Sequence, residues 1–148
     1  MEPLPHRYQI HLDAGASGYA RISADGCPDL RAIQPRQFGG PGDAWSPEHL
    51  LLAAVQTCFL FTLRAVARAA RVELVAVRAD VTGTVDRQDG VTRFTEIILR
   101  PIVTVEDGVA PERVLEMVET SERRCLISAS LSTPVHLDTR VEHAVSAA

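Results

Sequence analysis

The chain has 148 residues, 46% of them apolar and 23% charged, a size and balance that fit one soluble domain, residues 1–148, with a core of its own. A formal net charge of −4 without any block of like charge argues against a nucleic-acid or anionic-membrane partner. All fifteen basic residues are arginine, which excludes lysine Schiff bases, a pyridoxal-phosphate anchor and a Walker-type phosphate loop, and the absence of asparagine excludes N-glycosylation.

The N-terminus, MEPLPHRYQI, carries two prolines and charges where a signal peptide needs an apolar run, so the sequence predicts a cytoplasmic protein. Residues 7–13 and 18–23 alternate in polarity around the turn-rich segment 14–18, which predicts an N-terminal hairpin, and a brief third strand is expected over Leu30–Ile33. Gln34–Trp45, with two prolines and three glycines, reads as a shaped loop. Ser46-Pro47-Glu48 then gives an N-cap, a first-turn proline and an acid at the positive end of a helix predicted to run to about Ala70. Its most apolar part, Leu50 to Leu63, is broken by Gln56, Thr57 and Thr62 and reads as too short to span a bilayer. Apolar residues nevertheless occupy nearly every side of the helix, so it must be covered all round.

Two strands follow, Glu73–Arg87 and Thr92–Val105, joined at Gln88-Asp89-Gly90, where Asp-Gly favours a hairpin turn. Val77, Ala79, Val81 and Val85 alternate with polar residues in the first strand, which leaves one face wet. Pro111–Arg124 reads as an amphipathic helix with Val114, Leu115, Met117 and Val118 inward, and Thr133–Val141 as a closing strand. The order predicts an α+β fold with mainly antiparallel sheet. So short a chain has only one other helix to cover the apolar one, and a second subunit is the natural cover, which predicts an extensive homodimer interface.

Of the groups able to carry chemistry, the five histidines show no metal-ligand spacing, and the carboxylates are scattered as on solvated faces. No metal or cofactor is expected. Cys27, Cys58 and Cys125 lie far apart with no Cys-x-x-Cys pair, as intracellular thiols do. Taken alone, Cys58 reads as core packing in an apolar helix, Cys125 as a half-buried structural thiol, and Cys27 as incidental.

Read together, the segments resemble the osmotically inducible protein C and organic hydroperoxide resistance (OsmC/Ohr) superfamily. Trp45-Ser46-Pro47-Glu48-His49-Leu50, ten residues from Glu48 to Cys58, and then Phe59 are similar to that family's Pro-Glu segment, alanine-rich helix and Cys-Phe pair. Cys125-Leu126-Ile127-Ser128, followed by Leu131 and Thr133-Pro134-Val135, resembles its second-cysteine segment.

The resemblance implies an OsmC-like fold, sheets packed around a long buried central helix in an intertwined homodimer. It also implies a thiol-dependent peroxidase that reduces organic hydroperoxides through a peroxidatic Cys58 and a resolving Cys125, recycled by an external dithiol such as a lipoylated protein. The arginine that one branch places in its first turn is replaced here by Gly15-Ala16-Ser17, so Arg36, in Arg36-Gln37-Phe38, is the candidate active-site arginine and Arg21 the reserve. Ten helical residues place Glu48 ~15 Å from Cys58 in one chain, and the expectation is that Glu48 orients Arg36 toward the Cys58 of a partner subunit. Two other readings stay open: a non-catalytic dimeric module for a small hydrophobic ligand, and a cysteine-based redox sensor.

Overall fold

The structure, a computed structural model, describes residues 2–144 and divides into two compact units, with the boundary between Leu51 and Leu52. The first unit is a three-stranded antiparallel sheet in the order β1-β2-β3: His11–Ala14, Ala20–Ser23 and Leu30–Ala32. The first two strands begin later than the alternation suggested. The loop after β3 is closed at its base, because the Ile33 N–H donates to the Trp45 carbonyl at 2.8 Å and the Trp45 N–H to the Arg31 carbonyl at 3.2 Å. A 3-10 turn, Arg36–Phe38, shapes its interior.

Helix α1, Pro47–Ala70, starts where the Ser-Pro-Glu signal placed it. The Ser46 hydroxyl, on a fully buried residue, accepts the backbone N–H of His49 at 3.2 Å, which satisfies one of the four N–H groups a helix start leaves without partners. At the other end Arg71 takes a left-handed conformation, φ 55°, and the Arg113 guanidinium donates to the Ala70 carbonyl at 2.6 Å. An arginine thus serves where a C-terminal glycine is the commoner device.

The second unit holds most of α1 and a sheet centred on β5. Strands β4 (Leu74–Gln88) and β5 (Val91–Val105) form a long antiparallel hairpin. Asp89 and Gly90 both take positive φ, 50° and 79°, the backbone that an Asp-Gly hairpin turn requires. A bulge at Thr95 shifts the register between the Thr84–Glu96 and Val85–Phe94 pairs. Beyond it both strands run out from the core, so Val85 is 39% exposed where the alternation had placed it on the covered face.

On its other edge β5 pairs in parallel with β6 (Val135–Leu137) and β7 (Arg140–His143). The single closing strand expected from the sequence is therefore two, and its sheet is mixed. The interruption, at Asp138 and Thr139, lies beside Arg100 and Pro101, and Pro101 has no N–H to give to a ladder.

Helix α2, Pro111–Arg123, buries Val114, Met117, Val118 and Ser121, an i, i+3, i+4, i+7 stripe. Leu115 lies off that stripe and is 39% exposed, which corrects its predicted inward position. A one-turn helix the sequence did not suggest, α3 (Leu126–Ala129), follows Cys125.

The core joins Phe59, Leu63 and Ala67 of α1 to Leu99, Val103 and Val105 of β5 and to the buried face of α2. Only Val55, Phe59, Leu63 and Ala67 of α1 are buried, one stripe at a four-residue spacing, while Phe61 on another side is 61% exposed. The helix continues two turns beyond Leu63, and its 24 residues are long and apolar enough to cross a bilayer, which corrects the shorter reading from Leu50 to Leu63. Its packed stripe marks it as the core helix of the second unit.

Candidate functional site: a thiol pair

Cys58 and Cys125, sixty-seven positions apart, meet in the second unit. Cys58 projects from the middle of α1, half-buried, one residue before the core residue Phe59. Cys125 sits at the junction of α2 and α3 and is fully buried. Its backbone is held on both sides: the Cys125 N–H donates to the Glu122 carbonyl at 3.0 Å, and the Cys125 carbonyl accepts from the Ala129 N–H at 2.9 Å. Both thiols are reduced.

Electrostatics separate the two sulfurs. Burial pushes the Cys58 thiol up, but it is outweighed by the backbone N–H of Ile127, the Cys125 thiol, the backbone N–H of Leu126 and the Thr62 hydroxyl, which hold Cys58 below the ordinary cysteine value. Burial pushes the Cys125 thiol above that value, against the Ser128 hydroxyl and N–H, and the neighbouring Cys58 adds to the rise. Cys58 is therefore the first of the pair to become a thiolate, with Cys125 beside it still protonated and able to donate. Thr62 stands one helical turn after Cys58, its hydroxyl donating to the Cys58 carbonyl at 2.9 Å.

The other predicted site residues lie in the first unit. Arg36, in the 3-10 turn, lays its side chain over Gly42, where a Cβ would come within 2.3 Å of Arg36 Nε. Glu48, in the first turn of α1, has an Oε2 that is buried without a hydrogen-bond partner. It lines a mainly apolar cavity of about 470 Å³ with Leu12, Ile22, Phe38 and Leu50. Arg21, the reserve, is engaged by Asp13 at 2.7 Å and Asp29 at 3.2 Å. Cys27 is exposed in the turn between β2 and β3. Among the described residues no group of His, Cys, Asp and Glu could hold a metal ion.

The sequence reading missed the α3 backbone N–H groups, Thr62 and Ser128. Thr62 was within reach, since a residue four positions from Cys58 shares its helix face. The α3 groups were not, because a single turn after a cysteine carries neither a preferred cap nor an apolar period.

The family model described as OsmC-like protein matches residues 40–140. An uncharacterized Bacillus subtilis protein, YmaD, is 28% identical over 106 residues, 70% of this chain and 71% of its own length. The fold is similar to that of an OsmC-like protein of unknown function from Vibrio cholerae, with a TM-score of 0.84 at 18% identity over 91% of this chain and 99% of that one. It is also similar to that of an organic hydroperoxide resistance protein from Legionella pneumophila, with a TM-score of 0.74 at 20% identity over 95% and 99% of the two chains. The motif resemblance, the family match over most of the chain and the shared fold agree: this chain belongs to the OsmC-like protein family.

Proposed function

We propose that the chain is a thiol-dependent peroxidase that reduces organic hydroperoxides, with Cys58 as the peroxidatic and Cys125 as the resolving cysteine. The observation that carries this reading is the pair itself, an easily ionised Cys58 thiol set beside a buried, protonated Cys125 thiol. The Cys58 thiolate attacks one oxygen of the peroxide, the O–O bond breaks, and the departing alkoxide takes a proton to leave as an alcohol. Cys58 is then a sulfenic acid. The Cys125 sulfur attacks the Cys58 sulfur, the S–S bond forms, and the hydroxyl leaves with the Cys125 proton as water. An external dithiol, in this reading a lipoyl group on a partner protein, reduces the disulfide and is itself oxidised. No metal or cofactor takes part, and a reducing compartment such as the cytoplasm suits a site that must return to two thiols.

The same reading assigns Arg36 and Glu48 to the site across a homodimer. The buried, unpartnered Glu48 Oε2 supports a role for that carboxylate beyond its own helix, since such a group costs free energy unless a partner completes it. The sides of α1 left open outside the Val55–Ala67 stripe support the dimer. The apolar cavity beside Glu48 favours a second reading, a dimeric module that binds a small hydrophobic ligand without turnover. Consumption of an organic hydroperoxide and of hydrogen peroxide, measured side by side with a dihydrolipoyl donor, separates the two. The peroxidase turns over the organic substrate in preference, and the binding module consumes neither.

A further inference from the structure

We infer that Ser128 is a third working member of the thiol site, a positioning residue whose hydroxyl donates a hydrogen bond to the Cys125 sulfur as that sulfur becomes a thiolate for the resolving step. The inference rests on the peroxidase reading for its chemistry, on two observations of geometry and on one of electrostatics. First, Ser128 is the third residue of α3, and its Oγ is buried without a hydrogen-bond partner. A buried hydroxyl in that condition is costly to keep. Second, Cys125 is the residue that opens α3 and Ser128 stands three positions on, one helical turn away, and the Ser128 hydroxyl and N–H both favour an ionised Cys125 sulfur. Third, the donors around the pair are divided. The N–H groups of Leu126 and Ile127 favour the ionised form of Cys58, whereas the Ser128 hydroxyl and N–H favour that of Cys125.

The division answers a problem in the reaction. Cys125 is fully buried, and burial opposes its ionisation. Resolution nevertheless needs its electron pair on the Cys58 sulfenic sulfur: the S–S bond forms, the S–O bond breaks, and the Cys125 proton leaves with the hydroxyl as water. A hydroxyl with no other partner is free to turn its proton toward the sulfur when charge develops there. Of the titratable groups around Cys125, Cys58 faces it from α1. From α2, Glu122 meets it through the backbone carbonyl, and Arg123 is turned to Glu119 at 3.8 Å and Thr120 at 2.9 Å.

The test is rapid-quench mass spectrometry of the full-length reduced protein after one equivalent of cumene hydroperoxide, across a range of pH. In Ser128→Ala, Cys58 sulfenic acid should form at the parent rate, while the disulfide forms roughly tenfold more slowly near neutral pH, with its pH midpoint moved up by about one unit. Ser128→Thr, which keeps the hydroxyl and has the adjoining cavity of about 370 Å³ for its methyl group, should restore both. Removal of an unsatisfied buried hydroxyl should leave the melting temperature unchanged or raised. Parent rate and pH midpoint of disulfide formation in Ser128→Ala, or a threonine variant no better than alanine, would overturn the inference. Should the parent form no sulfenic acid, the peroxidase reading fails. The same pH comparison with diamide as the thiol oxidant then decides the role of Ser128 on its own.

Discussion

Cys125, fully buried at the end of α2, presents its thiol to the sulfur of Cys58, and each moves the other's ionisation, Cys58 downward and Cys125 upward. The pair therefore behaves as one system that loses its first proton early and its second late. Iodoacetamide labelling against pH, resolved by peptide, should give Cys58 a midpoint below the ordinary ~8.5 of a cysteine and Cys125 a midpoint above it. In Cys125→Ala the Cys58 midpoint should rise part of the way back, since one donor is lost while the N–H groups of Ile127 and Leu126 remain. Linkage fixes the stability signs. The Cys58 contribution is in place above the ordinary thiol value and is lost as pH falls through its lowered one, while that of Cys125 is in place below the ordinary value and is lost as pH rises through its raised one.

Cys58→Ser should abolish reduction of organic hydroperoxides, because a serine hydroxyl is not ionised at neutral pH and supplies no thiolate. Cys27→Ser, at an exposed turn outside the pair, should retain parent activity in the same consumption assay.

Phe59 and Leu63 lie at the centre of the second unit's core, next to the thiol site in sequence and fully buried. Phe59→Ala should cost about 3–5 kcal/mol and Leu63→Ala about 2–5 kcal/mol, measured by denaturant unfolding at one fixed protein concentration. A loss under 1 kcal/mol at either position would contradict this core.

Because α1 is strongly apolar yet buried along one stripe, its other sides require a cover, and a second copy of the chain is the proposed one. The unfolding midpoint should then rise with protein concentration. Sedimentation that finds a folded monomer at low concentration would contradict the dimer.

The beginning of α1 was legible because Ser46, Pro47 and Glu48 each act locally, and the Asp89-Gly90 turn was legible because its backbone needs are specific. What escaped was set by neighbours distant in sequence. The inward place of Leu115 was wrong because a stripe at 114, 117, 118 and 121 leaves residue 115 to one side. The break between β6 and β7 follows from Pro101 on another strand, thirty-odd residues earlier. Taken singly, Cys58 read as core packing and Cys125 as a half-buried structural thiol, and the family resemblance rather than any local pattern suggested them as a pair. The donors around them belong to a helical turn with no sequence signature.

Glu48 offers a test of sharing between subunits. Subunits carrying only Glu48→Ala, mixed with subunits carrying only Cys58→Ser, should form hybrids with one intact site and one lacking both groups, and activity should exceed that of either parent mutant. Impaired Glu48→Ala whose hybrids gain nothing would place that carboxylate's role within its own chain.

The most direct measurement is the fate of the two thiols after one equivalent of an organic hydroperoxide, read by non-reducing peptide mapping together with the alcohol released. The account predicts one alcohol per chain and a Cys58–Cys125 disulfide within that chain, with Cys27 still reduced. Stoichiometric oxidant that leaves Cys58 and Cys125 as thiols, or that joins either of them to Cys27, would contradict it.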